Sequence, residues 1–257
     1  MKITIVRYYI HAVSAALASF AFFFLSGHAA AFQVPERLEF ALAYSGIPAG
    51  HAVQEVKQVN NELQIISTAR SADWLRIFFP VDDRIESYLI SGTPPQNIGS
   101  PRLYLENKHE GKTITNQEAR FDRDKLEVST IDHRNKTEKK QAITKRTYDT
   151  LSSFFYFRTI PLQVGASYYI DIFDCTRIWN TEVKVLRKEE IVTPLGKFNT
   201  IVIHPLLKSE GIFARTADMF IWLTDDDRRI PVLMKSKVVV GSITATLTGG
   251  SYWPGRK

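Results

Sequence analysis

From Leu38 onward, hydrophobic residues recur at every second position, the spacing that puts side chains of an extended chain on one face. Leu38, Phe40, Leu42 and Tyr44 share one side of a first strand, and Ile47-Pro48-Ala49-Gly50 makes a turn. His51 to Val59 continue, with Val53, Val56 and Val59 among polar residues, and Asn60-Asn61 makes a hairpin-type turn into Leu63 to Ala69. Further strands are predicted over Val81 to Ile90, Arg102 to His109, Lys112 to Phe121, Leu126 to His133, Thr137 to Ile143, Tyr168 to Phe173, Trp179 to Leu186, Glu190 to Thr193 and Phe198 to Ile203. Ala217 to Gly250 reads as three consecutive strands. The first is apolar on both sides, as a central strand should be; Asp225 to Arg229 turns the chain, and Gly241-Ser242 makes a tight hairpin. In the middle strand Ile230, Val232, Met234, Val238 and Val240 share a face opposite Lys235 and Lys237.

Two stretches break the alternation. Ser71 to Pro80 carries Trp74, Leu75, Ile77, Phe78 and Phe79 and predicts one helical turn, capped by Ser71 and stopped by Pro80. Thr150 to Arg158 is the convincing helix: Asp149 stands at the N-cap, where its carboxylate can accept from exposed amides, and Ile160-Pro161 ends it. On the order of fifteen short strands with one such helix is an all-β, mainly antiparallel signature. We expect a strongly curved sheet or open barrel (a β-roll) with the short helix near 150–158 between two β halves.

Residues 1–31 are of a different kind. Lys2 and Arg7 precede a mostly apolar run from Tyr8 to Leu25, and Gly27 and Ala29-Ala30-Ala31 follow, the order of a secretory signal peptide. The run approaches the length that spans a bilayer, so an uncleaved anchor is the competing reading; His11, Ser14 and Ser19 dilute it. Cleavage after Ala31 leaves 226 of the 257 residues as a single β-rich domain, 32–257, ample for a sizeable core. The one cysteine, Cys175, forms no intramolecular disulfide and is not placed for lipidation. The expectation is a periplasmic protein that is neither a lipoprotein nor, once cleaved, an integral membrane protein.

The leader holds two of the 33 basic residues and none of the 27 acidic ones, so the mature part carries about +4, well below the excess of a nucleic-acid binder. Its most basic run, Arg134 to Arg146, places Arg134, Lys136, Lys139, Lys140, Lys145 and Arg146 where they could touch an anionic surface; a solvated edge strand whose lysines discourage pairing is the favoured reading. His51, His109, His133 and His204 have no partner at a metal-ligand spacing, and Arg228-Arg229 breaks the oxygen-ligand pattern that Asp225-Asp226-Asp227 would need for calcium. Asp174 beside Cys175 raises rather than lowers a thiol pKa. With no GxSxG, SxxK, phosphate-loop or dinucleotide fingerprint, no cofactor or catalytic residue is expected, although two carboxylates brought together by the fold would escape any sequence pattern.

Four segments together resemble an uncharacterised family of exported bacterial proteins, domain of unknown function 3108: Tyr44 to Gly50, Asp149 to Arg158, Thr193 to Phe198 and Trp222 to Val232. The resemblance implies export and a β-rich fold, and no activity. A weaker similarity, from Trp222 to Gly241, is to the consecutive hairpins of periplasmic lipoprotein carriers. With 12% aromatic residues, 16 of them Phe, a curved sheet has an interior to be filled or occupied. The leading expectation is therefore a non-enzymatic protein that binds a hydrophobic or amphipathic envelope component such as a lipid, with Trp74, Leu75, Ile77, Phe78 and Phe79 at the rim of its site. An assembly module contacting envelope proteins or glycans is the alternative, and a carbohydrate-active hydrolase a third.

The mature protein should begin near Phe32 and be released by osmotic shock without detergent. N-terminal sequencing that reads Met1, or recovery only in the membrane fraction, would overturn this.

Overall fold

The computed structural model describes residues 32–90, 92, 97–206, 218–237 and 241–254. The proposed leader, Val238 and Val240 lie outside them. The first eight strands are β1 (Glu36–Tyr44), β2 (Ile47–Val59), β3 (Glu62–Ser71), β4 (Asp82–Ile90), β5 (Ser100–Glu110), β6 (Thr113–Asp122), β7 (Glu127–Asp132) and β8 (Thr137–Ala142). A one-turn helix, α1 (Asp73–Arg76), interrupts the passage from β3 to β4. After β9 (Thr147–Asp149) comes the principal helix α2 (Thr150–Thr159), then β10 (Ser167–Phe173), β11 (Ile178–Thr193), β12 (Gly196–Leu206), β13 (Asp218–Thr224), β14 (Pro231–Lys237) and β15 (Ser242–Gly250).

All fifteen strands form one sheet in the order β8-β7-β6-β5-β4-β3-β2-β1-β15-β14-β13-β12-β11-β10-β9. Neighbours are antiparallel except β9 and β10, which run parallel with α2 as their crossover. The two edges, β8 and β9, are joined by residues 143–146, so the sheet must curl until its ends meet. Among the described residues no ladder closes the seam. Side chains bridge it: Gln141 Nε2 donates to the Thr176 carbonyl at 2.6 Å, Thr144 Oγ1 to Asp171 Oδ2 at 2.8 Å, and Arg123 Nη2 to the Thr147 carbonyl at 2.8 Å.

The expected open, curved antiparallel sheet is what forms, with four local differences. The turn expected at Ile47-Pro48-Ala49-Gly50 falls instead at Ser45-Gly46, both with positive φ, and Ile47 to Gly50 begin β2. Trp179–Leu186 and Glu190–Thr193 are one continuous strand, β11, because a bulge between Val185 and Arg187 absorbs the break in alternation. β9 is parallel and three residues long, too short to leave a periodic trace. Ser71 does not cap α1: the N-cap is Ala72, and the Ser71 hydroxyl instead accepts the Val81 amide at 2.9 Å.

Helix α2 occupies the interior. Its apolar residues Leu151 and Phe155 pack with Val56, Leu63, Ile65, Leu89, Phe121, Val128 and Phe173, and Phe157 packs with Ile170, Val185, Ile203 and Ile221. Both helix ends are pinned. At the start, the buried Asp149 carboxylate accepts from the amides of Leu151 (3.0 Å) and Ser152 (2.8 Å), and Ser87 of β4 donates to it at 2.6 Å. Burial pushes the Asp149 pKa up, and those hydrogen bonds oppose the shift. At the other end, the guanidinium of Arg158 makes a two-pronged pair with Glu36 of β1 at 2.6 and 2.8 Å. Tyr252 donates to the same carboxylate at 2.6 Å, the Arg228 carbonyl accepts from Arg158, and the rings of Phe32 and Phe155 lie about 5 Å from the guanidinium carbon. Burial, then Glu36, push the Tyr252 phenol up to about 12.

Cys175 lies in the same core, 5% exposed. Its thiol pKa is raised first by burial and then by Glu106, Asp149 and Asp174, so Asp174 is a lesser cause than its adjacency in the chain suggests.

Glu36→Gln should leave a buried guanidinium without its counter-charge and lower stability by about 3–5 kcal/mol in urea unfolding, whereas Glu36→Leu with Arg158→Leu should recover most of the loss. Cys175 should be silent to thiol reagents at pH 8 and react only at the rate of unfolding; fast labelling of the folded protein would contradict its burial and raised pKa.

Candidate functional site

The faces of β1 to β4 that meet α2 change character along their length. At one end Leu63 pairs with Leu89, and Val56 stands opposite Ile65, all within the core around Phe155. Side chains two residues apart share a face, so the next rows on this side are Leu38–Gln54–Ser67 and Phe40–Ala52–Ala69, then Leu42–Gly50–Ser71. Toward the β1–β2 turn the β2 and β3 residues therefore shrink to Ala, Gly and Ser, and the cores built around Leu151, Phe155 and Phe157 of α2 include none of them. The result is a groove of about 610 Å³ lined by Leu42, Tyr44, Ala69, Leu75, Phe79 and Ile243 among others. That is within the usual range for small-ligand pockets, about 300–1,000 Å³. Gln54, one row deeper, has a buried Oε1 without a hydrogen-bond partner among the described residues.

The excursion between β3 and β4 forms one wall. Its base is tightly held: Ser71 N donates to the Val81 carbonyl at 3.1 Å, Ala72 N to that of Ala49 at 2.7 Å, Gly111 N to that of Pro80 at 2.8 Å, and Arg70 pairs with Asp82 at 3.0 Å. The Phe79 ring lies against Gly111, where any Cβ would collide with it. The five residues expected at a rim separate into two groups. Leu75 and Phe79 line the groove, while Ile77 and Phe78 project away from it, 80% and 79% exposed. Trp74 is half exposed, and its indole N–H donates to the Pro48 carbonyl at 2.9 Å. With Tyr44, Ile47 and Ile243, this end carries seven of the eleven exposed large hydrophobic side chains among the described residues.

Two carboxylates also line the groove, Asp83 and Glu110. Burial raises the Asp83 pKa, opposed by the His109 amide that donates to it at 2.9 Å, and Glu110 raises it further. Asp83, Glu110 and the small residues Ala49 and Ala69 were not singled out in the sequence. A signal existed, since Gly50 and Ala52 stand at alternate positions, but only the register shows that they face Ala69 and Ser71.

The other sequence candidates lie elsewhere. Arg134, Lys136, Lys139, Lys140, Lys145 and Arg146 are all exposed on and around β8, the sheet's edge; Lys140 pairs with Glu127 at 3.0 Å, and Arg134 donates to the Ile114 carbonyl. His204 stacks on Phe220 at 4.4 Å and lies 3.7 Å from Asp218. Asp226 accepts from the amides of Arg228 and Arg229 and pairs with the Arg228 guanidinium at 2.6 Å, as a turn residue does. Among the described residues no group of His, Cys, Asp and Glu could hold a metal ion, and no helix is long and apolar enough to cross a membrane. A second groove, beside β13 and β14, is lined by Phe220, Trp222, Arg187, Lys235 and Lys237.

The fold has counterparts among solved structures. A β-barrel-like protein of domain of unknown function DUF1849 from Brucella abortus matches with a TM-score of 0.55 at 10% identity, over 86% of this chain and 98% of that one. Looser likenesses are to a protein from Bacteroides fragilis, named as exported and of YmcC-like fold (TM-score 0.35, 9% identity, 86% and 97% covered), and one from Parabacteroides distasonis named as a lipoprotein (0.38, 11%, 86% and 98%). No curated protein matches the chain significantly. Residues 39–248 match the profile of the protein family of unknown function DUF3108, and the chain belongs to that family.

Proposed function

We propose that this protein is a non-enzymatic periplasmic protein that holds the apolar part of an amphipathic envelope molecule in the groove between β1, β3, β15 and the 72–81 excursion. The observation that carries this reading is the coincidence of a carbon-lined groove with the main concentration of exposed large hydrophobic side chains. An exposed apolar patch costs solubility and marks an interaction surface. The small residues Ala49 and Ala69, which line the groove, support it; Gly50 beside them is set by the strand pairing, since a Cβ there would collide with the Arg70 carbonyl. Arg70, Asp83 and Glu110 put polar groups at the edge of the groove, where a ligand's head would lie.

A second reading, a hydrolase acting on glycans, draws on one observation: Asp83 and Glu110 share the groove, and the Asp83 pKa is raised. Asp83→Asn separates the two readings, since it would abolish hydrolysis and leave retention of an apolar chain in place.

Native mass spectrometry of protein purified from its own host should detect co-purifying lipid. Phe79→Ala, which removes a half-exposed wall, and Ala69→Phe, which fills the groove, should each lower its occupancy at least about tenfold, corresponding to about 1.4 kcal/mol of lost apolar contact. Wild-type protein without lipid, or occupancy unchanged in both variants, would refute the reading.

A further inference from the structure

We propose that the protein docks reversibly on the surface of a bilayer of net-neutral lipid through the tip formed by Trp74, Ile77 and Phe78, presenting the mouth of the groove to the membrane. The inference rests on the binding reading for its purpose, but its geometry is independent. Ile77 and Phe78 do not line the groove and are about four-fifths exposed, so neither ligand retention nor core packing accounts for them.

The tip has the form of a shallow membrane anchor. It is convex, one helical turn and the residues that follow, on a base fixed by the backbone bonds of Ser71, Ala72 and Gly111. Inserting it therefore needs no ordering of the loop. Ile77 and Phe78 provide the apolar points that enter the acyl boundary, and Trp74, with its N–H already satisfied by Pro48, suits the interfacial level.

A protein partner fits less well. A stable protein interface takes about 20–30 residues a side around a flat or complementary surface, whereas this tip offers a few large side chains on a projection. Charge identifies the kind of bilayer. Around the tip and the groove's mouth Arg70, Arg76 and Lys112 are offset by Asp73, Asp82, Asp83 and Glu110, with Arg70 and Asp82 paired at 3.0 Å. Such a rim gains little from an anionic surface, and its attachment should depend on apolar insertion alone. The mouth of the groove opens at this same end, so a lipid chain could pass between bilayer and groove with little exposure to water.

The test uses the mature chain and vesicles of phosphatidylcholine, with and without bromine on the acyl chains. Bromolipid should quench part of the tryptophan fluorescence, equally at low and high salt, and Trp74→Phe should remove that part while Trp179, Trp222 and Trp253 remain unquenched. Ile77→Ser combined with Phe78→Ser should keep the fold and lower vesicle partitioning at least about a hundredfold. No quenching of Trp74, partitioning unchanged in the double variant, binding confined to anionic vesicles and lost with salt, or engagement of the tip by a protein in place of lipid would each overturn the proposal. Ala69→Phe separates the two ideas. Docking that survives in Ala69→Phe while wild-type protein retains no lipid defeats the groove and spares the tip; retained lipid without Trp74 quenching does the reverse.

Discussion

The Arg158–Glu36 pair is the contact on which the architecture turns. Its side chains are essentially without solvent exposure, and the residues it joins are 122 positions apart. Desolvating two charges is expensive, and the attraction between them compensates only when the geometry is fixed and the remaining polar atoms are satisfied. Glu36 meets that condition through Tyr252, and Arg158 largely does through the Arg228 carbonyl and two ring faces; one donor, Arg158 Nε, is buried without a partner among the described residues. The pair thus gathers the first strand, the end of the helix, the β13–β14 turn and the segment after β15 at one place. A register slip in β1 would turn Glu36 away from the helix and leave the guanidinium unpaired, so the ion pair specifies the register as much as it stabilises it.

With its other end held by Asp149 and Ser87, α2 has a fixed length and position inside the curled sheet. Beyond its reach the strands must fill the interior with their own side chains or leave it open. Along β2 and β3 the residues available are Ala52, Gly50, Ala69 and Ser71, and these cannot fill it. The groove is therefore a consequence of where the helix stops and how small the facing residues become, and the 72–81 excursion leans over the space that results.

Much of this was legible in the sequence because it depends on local patterns. Alternation at every second position gives the strands, and Asp149 before an apolar nine-residue stretch gives the helix and its cap. The aromatic run at 74–79 stood out because it breaks the alternation. What the chain order concealed depends on long-range pairing. Glu36 gives no sign of Arg158; Ser71 resembles a cap until Val81 is seen to need its oxygen; three residues of β9 carry no period; and the row Phe40–Ala52–Ala69 exists only once three strands are in register. The five aromatic-segment residues looked alike in sequence, and only the turn of α1 sends Leu75 and Phe79 inward and Ile77 and Phe78 outward.

The two ends of the molecule consequently answer to different physics. At the ion-paired end, polar groups are desolvated and strongly coupled, so almost any change there is a change in stability. At the groove end, Ile77 and Phe78 contact little of the protein, and their truncation removes apolar area that was already facing water. Selection for stability has no purchase on such positions, and a soluble protein gains nothing by displaying them. Their display on a rigid base, beside a groove that the core leaves unfilled, is explained if something apolar meets them from outside, and that is the strongest reason to look for the function of this chain at the tip of the 72–81 excursion.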